Sequence, residues 1–152
     1  MKKIIHAIKY FHRKDLVLPL TKAVAQELTK NNQIPNLSDS ILIPIPMPLL
    51  RKYIRGYNQA ELIAQELSKR CLIPYTTKLL HRKGNHKRQV TKKTRSERIK
   101  NQHHSFIVKG DVNNLNIILV DDVTTTGATI IEARNELLKA GAKSVRAITI
   151  AH

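Results

Sequence analysis

The stretch Ile117-Ile118-Leu119-Val120-Asp121-Asp122-Val123-Thr124-Thr125-Thr126-Gly127-Ala128-Thr129 decides how this chain folds. Four bulky apolar residues in a row read as a strand buried on both faces. Two carboxylates stand where that strand should end, a hydroxyl-rich turn follows, and an apolar helical pattern then begins. Strand, acids, small loop and helix N-terminus, in that order, build an anion site at the carboxyl edge of an α/β sheet. Gly127 lets backbone approach a ligand or take a positive φ. Amides that open a helix have no intrahelical acceptor and are free to meet phosphate oxygens. The threonine hydroxyls add donors. Asp121 and Asp122 would repel a phosphate, so they suit vicinal sugar hydroxyls or a bound Mg²⁺. A phosphate, a ribose and a metal together point to a sugar phosphate.

Working outward, strands alternate with helices, which indicates a mostly parallel sheet covered on both faces. Apolar residues at helical spacing predict helices over 3–12 (Ile4, Ile5, Ile8, Phe11) and 16–30 (Leu20, Val24, Leu28), with Pro19 in the first turn of the second. Ile41-Leu42-Ile43 reads as a second buried strand, ended by the prolines at 44, 46 and 48, which lack amide donors. Next comes the basic segment Arg51-Lys52-Tyr53-Ile54-Arg55-Gly56-Tyr57-Asn58-Gln59, read as a strand-to-helix turn. The helix after it carries Ala60, Ile63, Ala64 and Leu67 on one face. Cations, a glycine and amide side chains at such a turn make a second anion site, or else a solvated basic turn. A third strand is expected over 76–80, a fourth at Phe106-Ile107-Val108 and a last over 144–150. The helix after the signature shows Ile130, Ile131, Leu137 and Leu138 as one stripe, and Gly141 ends it.

The 152 residues suffice for one domain with its own core, and their 41% apolar content fits a globular protein. No apolar run is long enough to span a bilayer, so no membrane insertion is expected. His6, Lys9 and Tyr10 interrupt the N-terminal apolar run, against a signal peptide. Cys71 is the only cysteine, which excludes an internal disulfide and a cysteine-based zinc site and fits a reducing cytoplasm. The adjacent pair His103-His104 diverges on any regular element, against a metal site there. Lys and Arg number 27 against 11 Asp and Glu, a net charge of +16. Such an excess fits a polyanion partner, either nucleic acid or a heavily phosphorylated small molecule, and also fits a solvated surface.

Much of that charge falls in 82–104, a polar stretch unable to bury itself and expected to be a mobile loop. Its members include Arg82, Lys83, Lys87, Arg88, Gln89, Lys92, Lys93, Arg95 and Arg98, and Thr94-Arg95-Ser96-Glu97 has the form of a capping box. Two roles suit it: a lid that brings cations over a bound pyrophosphate, or an arm that tracks a nucleic-acid backbone, with Tyr53, Tyr57 or Tyr75 as stacking partners elsewhere. Aromatic content is 4% and the stretch has none, which favours phosphate contact over stacking.

The acids, Val123, Thr125-Thr126-Gly127 and Thr129 resemble the phosphoribosyl pyrophosphate (PRPP) signature of type I phosphoribosyltransferases. The run I-P-I-P-M-P, the cations after it and Arg55-Gly56-Tyr57-Asn58-Gln59-Ala60 resemble the ComF-like competence proteins, over nearly the whole chain. The resemblance implies a Rossmann-like type I phosphoribosyltransferase core over 1–152. It implies Asp121 and Asp122 as the catalytic pair, holding the ribose hydroxyls, with Mg²⁺ bound indirectly through ligand or water. It further implies the 5′-phosphate on Thr124, Thr125, Thr126, Gly127, Ala128 and Thr129, and the pyrophosphate on Arg51, Lys52 and Arg55, in a loop that in the family often holds a non-proline cis peptide. Relatives of this type carry a cysteine-rich zinc-binding segment ahead of the domain, and this sequence has no counterpart. The implied role is cytoplasmic handling of imported single-stranded DNA during natural transformation. Implied partners are PRPP, single-stranded DNA, competence-machinery proteins and a second copy of the chain. The alternative is an active phosphoribosyltransferase of nucleobase metabolism with no nucleic-acid role.

Overall fold

A computed structural model describes residues 17–30, 39–83, 105–124 and 126–151. The elements in chain order are α1 (Val17–Lys30), β1 (Ser40–Pro44), α2 (Leu49–Arg55), α3 (Gln59–Cys71), β2 (Leu80–Arg82), β3 (Phe106–Val108), β4 (Asn116–Val123), α4 (Ala128–Lys139) and β5 (Ser144–Ala151). The signature strand β4 lies at the centre of a parallel sheet of order β1-β4-β5. Its run Ile117–Val120 is buried throughout, as a strand covered on both faces requires.

Alternation along β4 divides the core in two. Ile118 and Val120 join Leu42, Ile148 and the inner faces of α1 and α3, through Leu28, Ile63 and Leu67. Ile117 and Leu119 join Ile43, Val145 and α4, through Ala133 and Leu137. The predicted faces of α1 and α3 hold: Ala60, Ile63, Ala64 and Leu67 are all buried. In α4 the inward stripe is Ile130, Ala133 and Leu137, while Ile131 is 57% exposed, because one residue further turns the side chain about 100° away. Gly141, at φ 101, ends α4: its own N–H reaches the Leu138 carbonyl and that of Ala142 the Leu137 carbonyl, both at 3.1 Å.

Three expectations are corrected. The chain near 76–80 does not add a full strand to the sheet. It makes one parallel bridge, Tyr75 to Leu42, and then turns, with the Lys78 N–H on Thr76 Oγ1 at 3.2 Å. That local bond takes the backbone out of the ladder, and the strand instead forms at β2, paired antiparallel with β3 in a separate ribbon. The basic segment is not a turn but the helix α2, followed by Gly56 at φ 75, whose N–H meets the Lys52 carbonyl at 2.8 Å. Peptide bonds there are trans, as are all others among the described residues. Finally, β4 does not stop before its acids but continues through them, with Asp121 opposite Thr149 and Val123 opposite Ala151. The helix over 3–12 and the capping box at 94–97 lie outside the described residues.

Candidate functional site

The site forms where two neighbouring strands stop at different heights. β1 pairs with β4 as far as Pro44 opposite Val120, and one further bond, Ile45 N–H to Val120 carbonyl at 2.8 Å, closes that edge. Past this point the prolines carry the chain away, while β5 still supports the acid pair. A cleft of about 160 Å³ opens between them. Asp121, Asp122 and Thr129 line one side, Arg51, Arg55, Asn58 and Gln59 another, and Arg82 a third.

On the acid side, Asp121 and Asp122 are half-buried, and the Asp122 N–H donates to Asp121 Oδ1 at 2.9 Å. The Thr124 hydroxyl is buried with no hydrogen-bond partner among the described residues. A buried hydroxyl left unpaired costs free energy that a bound acceptor would recover. Thr126 Oγ1 accepts from the Ala128 N–H at 3.4 Å. Gly127, at φ 70, opens α4 with no side-chain cap of its own, and among the described residues of this turn Thr129 lines the cleft while Thr124, Thr126, Gly127 and Ala128 do not. A Cβ on Gly127 would meet nothing nearer than 3.8 Å, so glycine is needed there for its φ and not for space. Thr125 lies outside the described residues.

On the basic side, Asn58 ties helix to sheet: its Oδ1 accepts from the Ala60 N–H at 3.2 Å and its Nδ2 donates to the Ile45 carbonyl at 3.0 Å. This is an N-cap that also fixes where α3 begins relative to the cleft. Gln59, the first residue of α3, is 1% exposed, lines the cleft, and has no partner for its Nε2 among the described residues. Both amides belong to the segment read as a second anion site, although the pyrophosphate was assigned to its cations alone. The signal was an Asn ahead of an apolar 3.6-residue pattern, which marks an N-cap and hence a helix end at the site.

The implied pyrophosphate cations separate. Arg51 and Arg55, four apart on α2, share a face and reach the cleft, whereas Lys52 lines a different groove. Arg82, expected in the loop, is instead a wall of the cleft. Its Nη1 donates to the Pro46 carbonyl at 3.4 Å and its guanidinium stands 5.3 Å over the Phe106 ring. Burial, foremost, holds its pKa below the ordinary arginine value; Arg51 adds to this, while Glu132 and Asp121 oppose it. Glu132 also accepts from the Ser105 N–H, which fixes the far end of the ribbon to α4. Lys83 lines the other groove. Lys87, Arg88, Gln89, Lys92, Lys93, Arg95 and Arg98 lie outside the described residues.

Of the three tyrosines considered for stacking, Tyr57 is buried in the core and unavailable, Tyr75 receives a hydrogen bond from Gln65 Nε2 at 3.1 Å, and Tyr53 is 89% exposed. Among the described residues no three His, Cys, Asp or Glu side chains gather to hold a metal by themselves. Two carboxylates beside a cleft fit Mg²⁺ that takes its remaining oxygens from a phosphorylated ligand and water. No helix among the described residues is long and apolar enough to cross a membrane.

A parallel sheet with helices on both faces and an acid pair followed by a Thr-Gly helix start define a class, and the chain belongs to it: the phosphoribosyl transferase domain family, whose model matches residues 18–152. Within that class it is ComF-like. It is 34% identical over 107 residues to Competence protein F of Haemophilus influenzae, covering 69% of this chain and 47% of that protein. It is 38% identical over 111 residues to Competence protein ComFC of Bacillus subtilis, covering 72% and 43%. Similarity to DNA utilization protein YhgH of Escherichia coli strain K12 is 26% over 153 residues, covering 96% and 64%. The chain thus spans about half the length of the two competence proteins. Among solved structures, a glutamine PRPP amidotransferase from B. subtilis has the same fold with a TM-score of 0.57 at 15% identity, covering 89% of this chain and 26% of that one. A hypoxanthine phosphoribosyltransferase from Staphylococcus aureus matches with a TM-score of 0.53 at 13% identity, covering 88% and 61%.

Proposed function

We propose that this domain binds PRPP with Mg²⁺ in the cleft, as part of a cytoplasmic protein that handles imported single-stranded DNA. The observation that carries the first half is the joint lining of one cleft by Arg51 and Arg55 and by Asp121, Asp122 and Thr129. Carboxylates and arginines around one cleft suit a ligand that is anionic at its ends and hydroxylated in its middle. The Thr124 hydroxyl and the α4 amides take the 5′-phosphate. Asp121 and Asp122 take the ribose hydroxyls. Arg51, Arg55 and Arg82 take the pyrophosphate, each charge-assisted hydrogen bond contributing about 1.5–3 kcal/mol. Asp121 and Asp122 would hold Mg²⁺ indirectly, through ligand or water, and the ion would supply neutralising charge to the pyrophosphate. The carboxylates stand where positive charge develops on the ribose ring, and their contribution is electrostatic and positional. The second half draws on the relatives' names, Competence protein F and DNA utilization protein, and on the +16 charge, more than one small ligand needs.

The test is calorimetric titration with PRPP and Mg²⁺. Wild type should bind, and the double variant Asp121→Ala/Asp122→Ala should lose at least about tenfold in affinity, the equivalent of about 1.4 kcal/mol. No heat from the wild type would end the reading.

A further inference from the structure

A second and larger groove, about 540 Å³, lies between the proline run with α2 on one side and the β2–β3 ribbon on the other. No role follows for it from the cleft chemistry. Its accessible apolar side chains are Leu49, Ile107 and the partly exposed Met47, whereas Pro44 and Leu80, which also line it, are buried. Its rim is basic: Lys52 from α2, Lys83 after β2 and Lys109 after β3, with Arg82 between them and Glu61 as the one carboxylate. His81 lines it too, with Nε2 against the Lys78 carbonyl at 2.7 Å, so that nitrogen carries the proton.

The ribbon fixes how far apart the rim charges stand. Lys83 and Lys109 extend opposite ends of the antiparallel pairing, the Lys83 N–H bonded to the Ser105 carbonyl and the Lys109 N–H to the Leu79 carbonyl, both at 2.8 Å. Position 109 therefore sits beside 79, four residues from 83, or about 13 Å along the strand at ~3.3 Å per residue. One phosphate would need both lysines drawn inward to meet it. A row of phosphates meets them where they are. The accessible apolar side chains ask for more than charge from a ligand. A small polyphosphate offers them nothing, and a duplex keeps its base faces stacked inside. A single strand presents phosphates and uncovered base faces together.

We propose that this groove is a binding site for single-stranded nucleic acid, with the phosphates on Lys52, Lys83 and Lys109 and the bases against Met47, Leu49 and Ile107. It rests on the nucleic-acid half of the function proposed above and gives that half a location. The groove shares Pro46, Met47, Asn58 and Arg82 with the PRPP cleft, while Lys52, Lys83 and Lys109 line the groove and not the cleft.

The experiment is fluorescence anisotropy of the full chain with a labelled oligothymidylate across a salt series. The variants are Lys109→Glu, Lys83→Glu/Lys109→Glu, and Lys143→Glu as a charge-matched control on an exposed residue outside the groove. Lys109→Glu should weaken binding about fivefold or more and flatten the log–log salt slope by about 0.7, the share of one phosphate contact on a single strand. The double variant should lose more, the control less than about twofold by the same rule, and Lys109→Glu should bind PRPP as wild type does. Equal losses in Lys109→Glu and Lys143→Glu would overturn the proposal while leaving the nucleic-acid reading standing, since binding would then follow overall charge. No binding by the wild type would overturn both. Sedimentation velocity completes the set: a dimer that Lys109→Glu splits without loss of oligonucleotide affinity would make the groove a self-association surface and overturn the proposal.

Discussion

Replacing Gln59 with Met should make the empty protein more stable and its ligand complex weaker. The side chain is 1% exposed at the start of α3, and its Nε2 is buried without a partner among the described residues. Leaving such a donor unsatisfied costs about 1–3 kcal/mol. Methionine has similar length, no branch at Cβ and a comparable helix propensity, so the swap removes that cost with little loss of packing. A gain of ~1–2 kcal/mol would raise the unfolding midpoint by about 2–8 °C in a chain of this size. If the amide reaches a pyrophosphate oxygen, the same change removes a charge-assisted hydrogen bond of about 1.5–3 kcal/mol, or about 10- to 150-fold in Kd. The assay is thermal unfolding with and without PRPP and Mg²⁺, supported by calorimetric Kd values. Opposite signs for the two effects are required. A variant that melts lower than wild type and binds equally well would refute the reasoning, because Gln59 would then be an ordinary packing residue.

Other outcomes follow from the local geometry. Gly141→Ala should destabilise somewhat more than Gly127→Ala in urea unfolding: both need positive φ, at about 1–2 kcal/mol, but a Cβ at 141 lands 2.1 Å from Asn113 Oδ1 and displaces that side chain from its bond to Asp111, while one at 127 touches nothing closer than 3.8 Å. Gly127→Ala should instead show itself as weaker binding of ribose 5-phosphate by calorimetry. Asn58→Ala should cost about 1–2 kcal/mol of stability through the lost cap and also weaken PRPP binding, since the Ile45 carbonyl loses its tether. Burial, opposed by Arg70, pushes the Cys71 thiol above its ordinary value of 9.0. The folded chain should therefore need higher pH than the urea-unfolded chain for iodoacetamide alkylation, and the corresponding stability, full below the unfolded pKa, should be lost as pH rises through the folded one.

What could be read in advance was whatever is periodic or local. The run Ile117–Val120, the stripes of α1 and α3, and the Thr-Gly helix start each depend on residues within one turn or one strand. The helix α2 has no buried residue, so it leaves no apolar period to read, and its cations looked like a turn. Once α2 is known to be helical, the division of Arg51 and Arg55 from Lys52 is simple geometry. Arg82 could not be placed from the sequence, because its position depends on the ribbon pairing with Phe106 and on contact with Pro46, 36 residues away. The ribbon strand itself begins at Leu80, four residues later than expected, because a threonine hydroxyl, a short-range competitor, took the amide that a strand would have used.

The staggered ends of β1 and β4 have a consequence for how this domain can change. The hollow belongs to the backbone, made by prolines that turn one chain aside a step before its neighbour finishes, and not to the side chains that furnish it. Those furnishings can therefore be exchanged, acid for amide or arginine for leucine, and a recess of the same shape will still be there. Descendants are free to lose the chemistry and keep the receptacle, or to fill it with another ligand, without refolding.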